Sequence, residues 1–173
     1  MKNFLVTGSD GFIGSHLVEK LVLDGNKVTA FCMYNSQSSL GWLDSLDREL
    51  LKSISIILGD IRDKDTVNKA VKGKTHVLHL ASLIGIPYSY IAAQSYIETN
   101  VLGTLNILNA SKNYEVEHLV HTSTSEVYGT ANFVPITENH PLNAQSPYAA
   151  SKIGADKIVQ SFNLSFDLPG RET

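Results

Sequence analysis

The stretch Phe4-Leu5-Val6-Thr7-Gly8-Ser9-Asp10-Gly11-Phe12-Ile13-Gly14 decides the fold. Phe4, Leu5 and Val6 are a short apolar run suited to a buried parallel strand. Gly8, Gly11 and Gly14 follow at intervals of three, and Ile13, Leu17 and Leu21 then repeat every four residues, as on one face of a helix. A strand that turns directly into a helix leaves the first helical N–H groups without partners. Together with the helix dipole they form an anion site. Gly8 is expected to permit the tight turn, Gly11 to let the backbone approach a pyrophosphate, and Gly14 to let helix and strand pack closely.

The remaining chain repeats this alternation. The first helix spans about Phe12 to Leu23 and stops at Asp24-Gly25-Asn26, and the second strand spans Lys27 to Met33. An acid at the end of that strand normally binds the adenosine ribose of a dinucleotide. Here the residues are Cys32-Met33-Tyr34-Asn35, with neither a carboxylate to repel a 2′-phosphate nor an Arg or Lys to grip one. The cofactor is therefore NAD or NADP, with a slight lean to NADP. Trp42 to Leu51 reads as a short helix with Leu43, Leu46 and Leu50 on one face. Strand three is Ile54 to Leu58; beyond it, Asp60 is a candidate acceptor for an adenine amino group and Asp63 a helix N-cap. Strand four covers Thr75 to Leu80, and the small residues Ala81 and Ser82 then allow a cofactor to lie close. A long helix from about Ser95 to Lys112 is expected to bury Ile97, Val101, Leu105 and Leu108, with Asn100 towards the site and Asn106 exposed. Strand five is His118 to Thr122, and Ser146-Pro147-Tyr148 opens a last helix. Five alternations argue an α/β, Rossmann-like doubly wound parallel sheet with helices on both faces and ligands at the strands' carboxyl ends.

A chain of 173 residues is enough for one domain with a real core, read as a single dinucleotide-binding unit over residues 1–173. A net charge of −3 gives no reason to expect nucleic-acid or membrane-surface partners. No apolar run reaches the ~20 residues that span a bilayer. The lone Cys32 has no internal disulfide partner, and Met1-Lys2-Asn3 leads straight into the first strand, so a cytoplasmic protein is expected. His76/His79 and His118/His121 are three apart on strands, which points them to opposite faces, so no metal site is expected.

Tyr148 and Lys152 lie four apart on the last helix and so share a face. An ammonium near a phenol favours the phenolate, which could take a proton from a sugar hydroxyl while a hydride leaves. GSDGFIGSHL (8–17), GDIRD (59–63), HLAS (79–82), TNVLGTLNIL (99–108), TSTSEVYG (122–129) and SPYAASK (146–152) together resemble the extended short-chain dehydrogenase/reductase family. The resemblance implies that Gly8, Gly11, Phe12, Ile13 and Gly14 carry the pyrophosphate and that Asp60 and Ile61 flank the adenine. It also implies that Leu80, Ala81 and Ser82 line the cofactor, with Asn100 near the same site, and that Tyr148 and Lys152 form the catalytic pair.

Thr124-Ser125-Glu126 is similar to the catalytic triplet of nucleotide-sugar 4,6-dehydratases. There the threonine hydrogen-bonds the sugar 4-hydroxyl and the glutamate is the base at C5. Many of those enzymes have aspartate where Ser125 stands; serine occurs there in the GDP-mannose branch, leaving Glu126 to serve as both base and acid. Residues 33–36, 83–90 and 133–138 most resemble the N-acetylglucosamine 4,6-dehydratases of legionaminic-acid biosynthesis, which act on GDP- or UDP-linked sugars. The resemblance implies a nucleotide-sugar substrate and a homodimer built through the Ser95–Lys112 and Tyr148–Phe162 helices. Relatives of this type are about twice as long, so the chain is expected to end where the next strand begins and to lack the substrate part. A 4-epimerase, a nucleotide-sugar decarboxylase, or a non-catalytic NAD(P)-binding module are the alternatives.

Overall fold

In the computed structural model, which describes residues 2–166, 168 and 170–172, six strands form one sheet. They are β1 (Asn3–Thr7), β2 (Lys27–Met33), β3 (Ser55–Gly59), β4 (His76–His79), β5 (His118–His121) and β6 (Gly170–Glu172), ordered β3-β2-β1-β4-β5-β6. Every pairing is parallel, with Phe4 opposite Val28 on one side and His76 on the other. The strand order reverses between β1 and β4, and that gap is where ligands bind in such sheets. The sixth strand was not anticipated: residues 170–172 already pair with Leu119–His121.

Alternation along β1 explains the two cores. Leu5 joins Phe31, Val67, Val77, Ile107, Leu119 and Val159 on one face. Val6 joins Val18, Ala30, Cys32 and Leu43 on the other. Both faces are therefore apolar and both are covered by helices. The first face carries α3 (Lys64–Val71), α6 (Gly103–Asn113) and α7 (Pro147–Phe166); the second carries α1 (Phe12–Leu23).

Two helical segments differ from expectation, and a third matches it. The expected Trp42–Leu51 helix is a 3₁₀ turn (Gly41–Ser45) followed by α2 (Arg48–Lys52). Asp47 separates them because its side chain accepts from the N–H groups of Glu49 and Leu50 and starts a new helix. Between β4 and α6 lie α4 (Ile86–Ser89) and α5 (Ala93–Tyr96), and α5 runs into a π-helical stretch, Ile97–Leu102. The buried positions there are Tyr96, Asn100, Gly103, Thr104, Ile107 and Leu108, while Ile97 is exposed. Leu108 is buried and Leu105 packs against the core as expected, whereas over the π-helical stretch Tyr96 and Asn100 take the buried positions expected of Ile97 and Val101. Finally, Ser146 caps α7 by accepting from the Ala149 N–H, with Pro147 at the first helical position as expected.

Candidate active site

A cleft of about 870 Å³ opens at the strands' carboxyl ends, running from the glycine turn to Tyr148 and Lys152. The turn has the geometry its sequence demands. Gly8 has φ +68°, and a Cβ there would lie 2.8 Å from the Ala81 nitrogen. A Cβ on Gly14 would lie 2.1 Å from the Gly8 carbonyl oxygen, so only glycine lets α1 sit this close to β1. Gly11 differs: its Cβ would approach only the Gly8 oxygen, at 3.3 Å, and Gly11 lines the cleft. Gly11 also caps α1 without any side-chain hydrogen bond, and no acid occupies the first turn. The amides that open α1 therefore face the cleft uncapped, beside the exposed side chains of Phe12 and Ile13.

At one end the cleft is bounded by Asp10, Met33 and residues 59–62. Asp60 lines it as expected, but both of its oxygens are engaged by Arg62 through Nε at 2.9–3.1 Å and Nη2 at 2.5 Å. That guanidinium holds the Asp60 carboxyl below the usual carboxylate range, and the carboxylate in turn raises Arg62. Ile61 is buried and packs into the space left by Gly103, where a Cβ would come within 2.6 Å of it. Asn106, expected to be exposed, is half-buried and donates to the carbonyls of Ile61 and Arg62. It fastens this loop to α6.

The middle wall is formed by Leu80, Ala81 and Ser82, as expected. It is held by a buried chain of hydrogen bonds. The Thr7 hydroxyl accepts from the N–H groups of Leu80 and Ala81 and meets His79 Nδ1 at 2.7 Å. Having two amides to accept from, Thr7 must donate to His79. The opposite ring nitrogen, Nε2, then donates to Thr104, whose hydroxyl donates to the Asn100 carbonyl. Burial keeps His79 neutral, well below the ordinary histidine value. Asn100 lies next to the cleft, buried directly behind the lining residues Ser82 and Leu83. Its amide bonds Ser82, Leu83 and Ser151, so it ties the wall to α7.

Tyr148 and Lys152 lie at the other end, both nearly inaccessible and both lining the cleft. The Tyr96 ring stands edge-on to Tyr148 at 6.2 Å and is itself fixed by its hydroxyl bonding the Gly85 carbonyl. Lys152 Nζ donates to the Thr122 carbonyl at 2.6 Å and lies 3.3 Å from His121 Nε2. Burial lowers its amine to about 8, against the opposing charge of Asp156. Asp156 accepts from Ser123 and lies 3.2 Å from His121. The sequence signals for this support were overlooked: His121 precedes the Thr122–Glu126 run, and Asp156 is one helical turn beyond Lys152.

The expected triplet sits one residue past the cleft-lining Ser123, on a 3₁₀ turn (Ser125–Tyr128). Thr124 is half-buried and its hydroxyl accepts from the Glu126 N–H at 3.3 Å. Ser125 and Glu126 are exposed, and none of the three lines the cleft.

Among the described residues no group of three His, Cys, Asp or Glu side chains is arranged to hold a metal. Opposed histidines pack between strands with tilted rings, His76 against His118 and His79 against His121. Among the same residues no helix is long and apolar enough to cross a membrane. An uncapped helix start, a backbone approach without Cβ at Gly11, and a phenol–amine pair at the far end fit a nicotinamide dinucleotide.

Comparison with known proteins agrees. The family model described as GDP-mannose 4,6 dehydratase matches residues 5–172. A low-salt glycan biosynthesis protein, Agl12 of Haloferax volcanii, is 35% identical over 95% of this chain and 53% of its own length. Among solved structures, a UDP-N-acetylglucosamine 4-epimerase of Methanobrevibacter ruminantium in complex with UDP-N-acetylmuramic acid superposes with TM-score 0.88. It is 35% identical, covering 99% of this chain and 53% of that one. A double mutant of the Streptomyces venezuelae dTDP-glucose 4,6-dehydratase DesIV, with NAD bound, gives TM-score 0.84 at 31% identity, covering 98% and 54%. The chain spans about half the length of the curated relatives it matches.

Proposed function

This chain belongs to the NAD-dependent epimerase/dehydratase family of the short-chain dehydrogenase/reductases, and from that premise we propose that the protein is a nucleotide-sugar 4,6-dehydratase acting on GDP- or UDP-linked N-acetylglucosamine. The observation that carries the reading is the neighbourhood of the Tyr148–Lys152 pair. Ser123 lines the same end of the cleft, and the Thr124–Glu126 turn follows it directly.

A bound nicotinamide dinucleotide supplies the hydride acceptor for C4 of the sugar and the donor for C6. Tyr148 takes the proton of the 4-hydroxyl, with Lys152 one helical turn further along the same face of α7. Thr124, whose oxygen accepts from the Glu126 amide, keeps its hydroxyl proton to donate to the sugar oxygen. Once C4 is a ketone the C5 proton is acidic. Glu126 removes it, and the C6 hydroxyl departs as water with a proton returned by the same carboxyl group. With the hydride that the dinucleotide would return to C6, the proton that enters at C5 is matched by the one Tyr148 took from the 4-hydroxyl and releases, which closes the balance.

Incubation with GDP- and UDP-N-acetylglucosamine tests this. The expected product has lost one water and carries a 4-keto group. A 4-epimerase is the second reading, favoured by the fold match to an epimerase and by the exposed position of Glu126 outside the cleft lining. It predicts an inverted C4 at unchanged mass. Bound dinucleotide with no turnover of either sugar marks a binding module. The protein is proposed to act in the cytoplasm as a homodimer through α6 and α7, on which Leu164 is 85% exposed.

A further inference from the structure

The end of β2 lacks a carboxylate in sequence but not in space. Asp10 belongs to the glycine turn, and its Oδ2 accepts from the N–H of Met33, the last residue of β2, at 3.3 Å. Its backbone is pinned as well. The Asp10 carbonyl accepts from Trp42 N–H at 3.0 Å, and this approach exists because Gly41, at φ +61°, has no Cβ. A Cβ there would lie 2.3 Å from the Asp10 oxygen. Asp10 and Met33 both line the cleft.

In parallel sheets of this order, the acid at this strand end receives the hydroxyls of the adenosine ribose. We infer that Asp10 replaces that acid, so that the cleft selects a dinucleotide with an unmodified ribose 2′-hydroxyl over one carrying a 2′-phosphate. The inference rests on the dinucleotide reading of the cleft. Asp10 can accept a ribose hydroxyl on its second oxygen, and its charge opposes a phosphate at that position.

The surrounding charges act in the same direction. Asp44, which accepts from Ser39 and the Leu40 N–H, adds a second negative charge near this strand end. After burial, the charges of Asp10 and Asp44 are what push the Cys32 thiol up, to about 12. The cation that lines this end, Arg62, is held by Asp60 at 2.5 Å and faces Glu98 at 3.7 Å. A 2′-phosphate would have to displace those carboxylates to gain it.

Trp42 is the one tryptophan of the chain and its ring lies 5.2 Å from that of Phe12, which lines the cleft. Its fluorescence reports titration with NAD+ and, separately, NADP+. The wild-type protein is expected to bind NAD+ at least about tenfold more tightly. Asp10→Asn keeps an acceptor for Met33 N–H while removing the charge, and it is expected to reduce that ratio to within about threefold. Asp10→Ser is read beside it as an independent uncharged variant. Raising the ionic strength narrows the wild-type ratio but leaves that of Asp10→Asn nearly fixed. NADP+ binding as tightly as NAD+ to the wild type overturns the inference, as does an unchanged ratio in both variants. Failure of both dinucleotides to bind overturns it together with the functional reading beneath it.

Discussion

The amine of Lys152 lies 3.3 Å from Nε2 of His121, and both residues are almost wholly buried. Burial of this ammonium lowers it from 10.5 to about 8. A base whose folded value is depressed binds its proton less well folded than unfolded. Below pH 8 both states are protonated and the full cost is present. As pH rises from 8 to 10.5 the folded state releases its proton first and the cost fades. Wild-type stability is therefore expected to rise relative to Lys152→Met by on the order of 2–3 kcal/mol across that interval. Parallel denaturant titrations at pH 7 and pH 10 check this. The lost Thr122 contact shifts the variant equally at both pH values, so only the difference between them reports the titration.

Asp156 is the counter-charge that opposes this depression. It is buried, accepts from Ser123 and faces His121. Asp156→Asn keeps the shape and the Ser123 partner but removes the charge. Lys152 is then expected to lose its proton at lower pH, moving the alkaline limb of turnover down by roughly half to one pH unit. A purely structural role would lower the melting temperature and leave the limb in place.

Gly14 and Gly11 are expected to separate packing from binding. Gly14→Ala drives a methyl group to 2.1 Å from the Gly8 oxygen, against backbone that cannot yield, and is expected to destabilise by roughly 1–3 kcal/mol. Gly11→Ala meets the same oxygen at 3.3 Å and otherwise faces the cleft. It is expected to preserve the melting temperature within a few degrees and weaken dinucleotide binding about tenfold or more. Thermal melts and Trp42 titrations of the two variants distinguish them.

The glycine turn, α1, β2 and the Asp63 cap were legible in sequence because each depends on neighbours within a few residues. The hydrogen bonds of Asn100 run to Ser82 and Ser151, 18 and 51 residues away, which no local pattern reveals. Asn106 was misread for the same reason, its partners lying 44 and 45 residues upstream. The π-helical stretch Ile97–Leu102 has no composition cue, and there the buried positions are Tyr96 and Asn100 in place of Ile97 and Val101, while Leu105 and Leu108 beyond it face the core as their spacing indicates. Asp10 was in plain view, but its proximity to β2 follows from the Gly8 turn and the Gly41 approach, both tertiary facts.

Tyr148 and Glu126 are assigned different bonds, so their variants are expected to stop at different stages. Tyr148→Phe removes the proton acceptor for the 4-hydroxyl. Reduced nicotinamide and dehydrated sugar are both expected to fall at least about a hundredfold, with dinucleotide affinity nearly unchanged. Glu126 is exposed, so Glu126→Gln is expected to alter stability by less than about 0.5 kcal/mol. Oxidation at C4 persists in that variant, whereas removal of the C5 proton does not. In deuterated water the wild type is expected to exchange the C5 hydrogen, and Glu126→Gln to show reduced nicotinamide without exchange or water loss. Normal exchange in Glu126→Gln would assign the C5 base to another residue. A 4-epimerase has no need of C5 chemistry, so absence of exchange in the wild type itself would favour the epimerase reading.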